Sequence, residues 1–172
     1  MCADVRHHGW LSPDNGAVWL TAIAARLSAA VPANADTYIA NAVAGRDELA
    51  ALSIEMGGIL DPVRERNFIV FHDAYQYFEQ AFEIPASGAI SLSDASDPSP
   101  SRISGIQARV TEQDVTCVLS EPQFDPGIVA AGMDGSEART GVLYPLGSDL
   151  EPGPDLCRQL LRNLAATMAG CL

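Results

Sequence analysis

Beyond Pro62, short apolar runs alternate with segments of helical character, and this alternation limits the folds open to the chain. The apolar runs cover residues 68–71, 89–92, 115–119 and 140–143. The helical segments cover residues 74–82, 101–113, 125–131 and 154–171. Such alternation is typical of βαβ units, whose right-handed crossovers place helices on both faces of a parallel sheet. The sequence therefore predicts an α/β fold: a three-layer lobe with a four-stranded, mostly parallel sheet flanked by helices.

A long helical arm is predicted to precede this lobe. Ser12 is a suitable N-cap, and Pro13 fits the first turn of a helix. Apolar residues then follow at spacings of three and four, namely Leu20, Ile23 and Leu27. After Pro32, a second helical stretch over residues 33–60 carries a later apolar stripe of Leu49, Leu52, Met56 and Leu60.

Charge and hydropathy narrow the classes of function. The formal net charge is −12, which argues against nucleic acid as a partner because a phosphate backbone requires a basic surface. An acidic surface favours solubility and also attracts cations. No stretch approaches the roughly 20 apolar residues that span a bilayer, and residues 1–8 lack the apolar core of a signal peptide. We therefore expect a cytosolic protein, or a mature or truncated piece of an exported one.

Two of the three histidines occupy positions that suggest metal binding. The apolar run at residues 68–71 ends at His72, and ligands of open parallel sheets bind at the carboxyl ends of the strands. His8 lies just before the first helix and is a second candidate ligand. The alternatives are a structural histidine at a strand end for His72 and a solvated histidine for His8.

The four cysteines leave several pairings open. Cys157 and Cys171 share the last predicted helix and are separated by 14 residues. At about 1.5 Å per residue they would lie roughly 21 Å apart, well beyond the ~7 Å limit for a disulfide. Cys117 could meet either of them, and four free thiols remain the alternative.

Several stretches, in order, resemble one protein family. They are WLSPDN (10–15), FIVFHDAYQYF (68–78), ISLSD (90–94), PSPS (98–101), CVLSEPQF (117–124), PLG (145–147) and CL (171–172). The family is that of zinc-uptake solute-binding proteins, the periplasmic receptors of ABC transporters. Its members have two α/β lobes joined by a long, rigid helix, with the metal between the lobes. The chain resembles the later half, which implies an N-terminal segment and long linking helix over residues 1–62 and a C-terminal α/β lobe over 63–172.

The resemblance assigns roles to individual residues. His72 and His8 match two metal-ligating histidines of the family, and Glu121 matches a carboxylate that supports the site. We assign Asp73 either to orienting a ligand from outside the coordination shell or to a helix N-cap. Tyr144 occupies a position where relatives often carry an aspartate, which favours zinc over manganese.

The resemblance also implies a partner, a location and a disulfide. The partner would be the membrane permease of an ABC transporter, and the location would be periplasmic. Cys117 and Cys171 coincide with a disulfide pair of some members, which leaves Cys157 free and packed as a small apolar residue. Because the chain resembles only the later half of the family's fold, we expect exposed apolar surface on the arm and at the His8/His72 edge of the lobe, and self-association through this exposed lobe face.

Two other classes of function remain open. One is a metal-dependent hydrolase that uses His72, Asp73 and Glu121, although the sequence lacks the His-Glu-x-x-His, nucleophile-elbow and phosphate-loop motifs. The other is an incomplete lobe that acts only as a protein-interaction module. Metal titration separates metal binding from the second of these classes, and turnover of a substrate would reveal the first.

Overall fold

Two antiparallel helices form the N-terminal arm of the computed structural model, which describes residues 8–91 and 99–172. Helix α1 spans Pro13–Ala30, with the Ser12 hydroxyl accepting a hydrogen bond from the Asn15 amide, as the sequence predicts. Helix α2 spans Ala35–Leu60 and is about 39 Å long at 1.5 Å per residue. The predicted long helical arm is therefore present.

Close packing of the arm depends on glycines where the helices meet. A Cβ atom at Gly16 would lie 3.0 Å from a methyl group of Leu49, and one at Gly45 would lie 2.9 Å from a methyl group of Leu20. The stripe predicted on α2 packs on the lobe, with Leu52, Met56 and Leu60 almost completely buried. On α1, in contrast, Ile23 and Leu27 are 53% and 42% exposed, so that stripe does not face the core of this chain.

The lobe is the predicted parallel sheet with helices on both faces. Its strands are β1 (Phe68–His72), β2 (Gly88–Ser91), β3 (Cys117–Ser120) and β4 (Arg139–Val142). Its helices are α3 (Gln76–Phe82), α4 (Pro100–Glu112), α5 (Pro126–Met133) and α6 (Leu156–Cys171). The strand order is β2-β1-β3-β4, and every pair is parallel. Leu92, predicted to end the second strand, lies outside the described residues.

Alternate residues of β1 face two separate apolar layers. Phe68 and Val70 pack in a core formed with α2, α3 and α6, whereas Ile69 and Phe71 pack in a core formed with α4 and α5. All five residues of the strand are buried, as expected for the interior of a sheet covered on both faces. The fold is thus a three-layer α/β lobe.

The structure selects one of the cysteine pairings left open by spacing. Cys117 and Cys171 form a disulfide with a Cα–Cα distance of 5.7 Å, which joins the start of β3 to the end of α6. This confirms the pairing implied by the family resemblance. Cys157 is free, as expected, but it is exposed and not packed as an apolar residue, because it lies near the start of α6 where the arm leaves a shallow groove. Cys2 lies outside the described residues.

No helix within residues 8–91 and 99–172 combines the length and apolar character needed to cross a bilayer.

Candidate metal site

His72 and Glu121 meet at the carboxyl edge of the sheet. His72 is the last residue of β1, and Glu121 follows β3, its neighbour in the sheet. From β1 the chain passes first to β2, on one side of β1, and then to β3, on the other side. The carboxyl ends of β1 and β3 therefore mark the point where the strand order reverses. Ligands of open α/β sheets bind at such a switch point. The sequence analysis predicts His72 at this edge, but it does not predict the contact between His72 and Glu121.

A short hydrogen bond orients the His72 ring. Its Nδ1 atom lies 2.7 Å from Oε1 of Glu121, and the two residues are only 6% and 3% exposed. Because a carboxylate oxygen accepts, this pairing favours the tautomer in which Nδ1 carries the proton. The other ring nitrogen, Nε2, then keeps its lone pair and can act as a metal ligand.

Gln123 and Tyr75 lie next to Glu121, and the sequence analysis did not identify either of them as a site residue. The Gln123 side-chain amide donates to Oε2 of Glu121 at 2.6 Å, so each oxygen of the carboxylate has a hydrogen-bond donor. Tyr75 is buried beside the same carboxylate, and its pKa is raised, chiefly by burial and further by the charge of Glu121. Gln123 belongs to the EPQF stretch that carried the resemblance, which is the signal that could have identified it.

His8 approaches this pair from a different part of the chain. Its ring centroid lies 5.2 Å from that of His72, in an edge-to-face arrangement. The residue immediately precedes a single 3₁₀ turn, Gly9–Leu11, which leads into α1. Two histidines that are 64 residues apart in the sequence are therefore neighbours in space.

Asp73 is not the helix N-cap proposed as one of its two roles. Helix α3 begins at Gln76, and its N-cap is Tyr75, because two further residues separate Asp73 from the first turn. Asp73 is half-buried and lines a cleft of about 780 Å³ with residues of α3 and α4. A role in orienting a ligand stays a prediction.

Phe124 closes one side of the site. Its ring stacks on Phe71 with centroids 4.1 Å apart and meets the edge of His72 at 5.8 Å. In the part of the chain that the structure describes, no cluster of three or more His, Cys, Asp or Glu side chains is arranged to hold a metal ion. The site thus offers the imidazole rings of His8 and His72 beside the aromatic ring of Phe124. The His72 ring is hydrogen-bonded to the Glu121 carboxylate.

Comparisons with known proteins agree with this architecture. A family model described as "Zinc-uptake complex component A periplasmic" matches residues 5–171. The High-affinity zinc uptake system protein ZnuA of Brucella abortus (strain 2308) is 47% identical over 165 residues, which cover 96% of this chain and 49% of that protein. The chain thus spans about half the length of this relative.

Solved structures give the same result. A structure titled "Crystal structure of ZnuA" superposes with a TM-score of 0.81 at 30% identity, covering 95% of this chain and 59% of that one. A structure titled "Crystal structure of 138-173 ZnuA deletion mutant plus zinc bound" gives a TM-score of 0.77 at 30% identity, covering 95% and 60%. With the family model matching nearly the whole chain, this protein belongs to the family of periplasmic zinc-uptake component A proteins.

Proposed function

We propose that this chain captures Zn²⁺ as part of a periplasmic receptor that delivers the ion to the membrane permease of an ABC transporter. The observation that carries the proposal is the pairing of His8 and His72, with Glu121 on Nδ1 of His72. A transport receptor needs reversible binding and no catalytic base, and two imidazoles beside a buried carboxylate meet that need. We propose this role in place of a metal-dependent hydrolase or a lobe that acts only as a protein-interaction module.

The spacing of the two rings supports a shared ion. Zn–N bonds of about 2.1 Å at a tetrahedral angle put two imidazole centroids roughly 5 Å apart. The observed separation is 5.2 Å. Zinc takes four ligands in most protein sites, so further ligands, from solvent or from a second lobe of the receptor, would complete the shell.

Zinc is favoured over manganese by the chemistry of the donors. Imidazole nitrogen suits zinc, whereas manganese prefers carboxylate and carbonyl oxygens. Both side chains proposed as ligands are imidazoles, and Glu121 is occupied by His72 and Gln123. Tyr144, where relatives often carry an aspartate, supplies no carboxylate.

The disulfide supports a periplasmic location. Disulfides persist in oxidising compartments such as the bacterial periplasm and are rare in the cytosol. Cys117–Cys171 is enclosed by the fold, with the two cysteines 0% and 6% exposed. The bridge is therefore expected to be a permanent element of the structure.

We further propose that the isolated chain self-associates through its arm. Among the described residues, large apolar side chains more than 40% exposed are concentrated on or between α1 and α2: Val18, Trp19, Ile23, Leu27, Val31, Ile39, Val43 and Ile54. Exposed apolar surface of this kind is typical of an interaction site, and a second copy of this chain is the partner that we propose.

Calorimetric zinc titration of the metal-stripped chain tests the proposed function, with His72→Asn as the key variant. An asparagine side-chain amide can still donate to Glu121 from the Nδ1 position, but it offers no nitrogen ligand at the Nε2 position. We expect the parent chain to bind one zinc ion and His72→Asn to lose that binding. Asn67→Ala, at the opposite end of β1, is the matched control and should bind as the parent does.

A further inference from the structure

We infer that Trp10 and Asn15 are positioning residues that hold His8 beside His72 before any metal arrives. Their effect on zinc affinity rests on the proposed function. Their effect on the placement of His8 rests on geometry alone. His8 belongs to a different segment from the strand that carries His72, so its position depends on how that segment is fastened to the lobe.

The first contact that holds the His8 segment on the lobe is a long-range hydrogen bond. The Trp10 indole Nε1–H donates to the Pro145 carbonyl at 2.9 Å, linking residues 135 positions apart in the chain. The same indole lies against His8, with ring centroids 5.0 Å apart and the planes inclined at 55°. Trp10 is half-buried and packs on the main apolar core. One side chain thus connects the His8 ring both to the core and to the loop after β4.

The acceptor of this bond is itself held in place. Pro145 lies in a turn closed by a hydrogen bond from the Gly147 amide to the Tyr144 carbonyl at 3.0 Å. Gly147 adopts φ 65°, and a Cβ atom there would lie 3.3 Å from a methyl group of Leu160 on α6. A side chain would be strained by both the conformation and the contact, so glycine lets the turn rest directly on α6.

A second set of hydrogen bonds holds the backbone next to His8. The Asn15 side-chain amide donates to the Gly9 carbonyl at 3.0 Å, and the Leu11 amide donates to the His8 carbonyl at 3.1 Å. Leu11 is completely buried, and Ser12 caps α1. The 3₁₀ turn is therefore tied to the first turn of α1 at one end and to the core at the other.

Pre-positioning has a direct consequence for affinity. A ligand segment that is already ordered loses less conformational entropy when the ion binds, so the free energy of binding is more favourable. The centroid distance of 5.2 Å between the two rings already equals the roughly 5 Å that a shared ion would impose. Removing one hydrogen bond that supports this arrangement should weaken binding about 3- to 10-fold, the range set by one net hydrogen bond.

Zinc titration of a folded variant tests this inference. Trp10→Phe keeps an aromatic ring but removes the donor to Pro145, and we expect it to weaken zinc binding about 3- to 10-fold. Zinc affinity equal to that of the parent in folded Trp10→Phe would overturn the inference. Asn67→Ala, which removes a side-chain-to-backbone bond away from the site, should leave affinity unchanged.

A second measurement needs no metal and separates this inference from the proposed function. In the metal-free chain, nuclear Overhauser contacts between the imidazole protons of His8 and His72 report their proximity. Trp10→Phe should weaken or abolish these contacts while the unfolding midpoint stays close to that of the parent. Asn15→Ala should do the same and is the second variant if Trp10→Phe does not fold. Contacts of full intensity in a folded variant would refute the positioning role, whether or not the chain binds zinc.

Discussion

Reducing the Cys117–Cys171 disulfide should lower the unfolding midpoint of this protein by about 8–16 °C. The bridge joins residues 54 positions apart. In the chain-entropy model, a loop of this length adds about 4 kcal/mol to the free energy of unfolding. For a chain of 150–250 residues, each kcal/mol shifts the midpoint by roughly 2–4 °C.

The expected effect is mainly on the unfolded chain. Both cysteines are buried in the native fold, and after reduction their sulfurs need to separate only to van der Waals contact within the same core. The native contacts of α6, which include the buried residues Leu160, Leu164 and Met168, also remain. The loss of stability should therefore come from greater freedom of the unfolded chain and not from a new cavity.

Thermal unfolding followed by circular dichroism, with and without reductant, measures the shift. The parent for this experiment carries Cys2→Ser and Cys157→Ser, so that the bridge is the only redox-sensitive group. Alkylation in denaturant followed by mass measurement establishes complete reduction. A Cys117→Ala/Cys171→Ala variant should unfold near the reduced midpoint and should not respond to reductant. A shift below about 3 °C after complete reduction would refute the loop-entropy reasoning.

Three further perturbations probe packing, charge and surface. Gly141→Ala would place a Cβ atom 2.9 Å from a methyl group of Leu119 on β3, and overpacking of this kind should cost about 1–3 kcal/mol in chemical unfolding. Arg162 lowers the pKa of Glu55, chiefly through a side-chain hydrogen bond, so the pair stabilises the fold above the ordinary carboxyl pKa of 4.5. That contribution should disappear as the pH falls through the lowered pKa, and the stabilities of the parent and Arg162→Met should converge in acid. Ile54→Lys, at a position that is 79% exposed, should shift the chain toward monomer in light scattering.

Each of these predictions has a control or a contrary outcome. Gly58→Ala, where nothing lies within 4 Å of the new Cβ, should be stabilising by about 0.5–1 kcal/mol, and loss of stability there would count against the packing argument. A constant difference between Arg162→Met and the parent across the whole pH range would exclude an ionic origin. A parent chain that is monomeric at all concentrations would remove the case for self-association.

Much of the fold follows from the spacing of apolar residues. The runs that end at Phe71 and Leu119 have no polar alternation, because both faces of β1 and β3 are covered, and this is the pattern that predicts a parallel interior strand. Ser12 and Pro13 correctly predict the first residue of α1. Burial of the α1 stripe does not follow, because residues such as Ile23 line a surface groove beside α2 and α6 and stay 53% exposed.

The candidate site is only partly readable from the sequence. His72 is predictable because a strand end in a parallel sheet faces the ligand edge. The proximity of His8 depends on a tertiary hydrogen bond from Trp10 to Pro145, and no local pattern encodes a contact over 135 residues. The hydrogen bond from Gln123 to Glu121 is also absent from any local sequence pattern, because it depends on the turn after β3. Only the family resemblance brought Glu121 into consideration, and coordinates were needed to find the neighbours of both His8 and Glu121.

The central claim is that His8 and His72 share one zinc ion, and the ring nitrogens of the two histidines report this directly. Long-range proton–nitrogen spectra of the labelled chain would be recorded before and after one equivalent of zinc. The account predicts that Nε2 of His72 shifts together with one ring nitrogen of His8, whereas Nδ1 of His72 stays protonated against Glu121. Unchanged spectra, or a shift at His8 with none at His72, would contradict it.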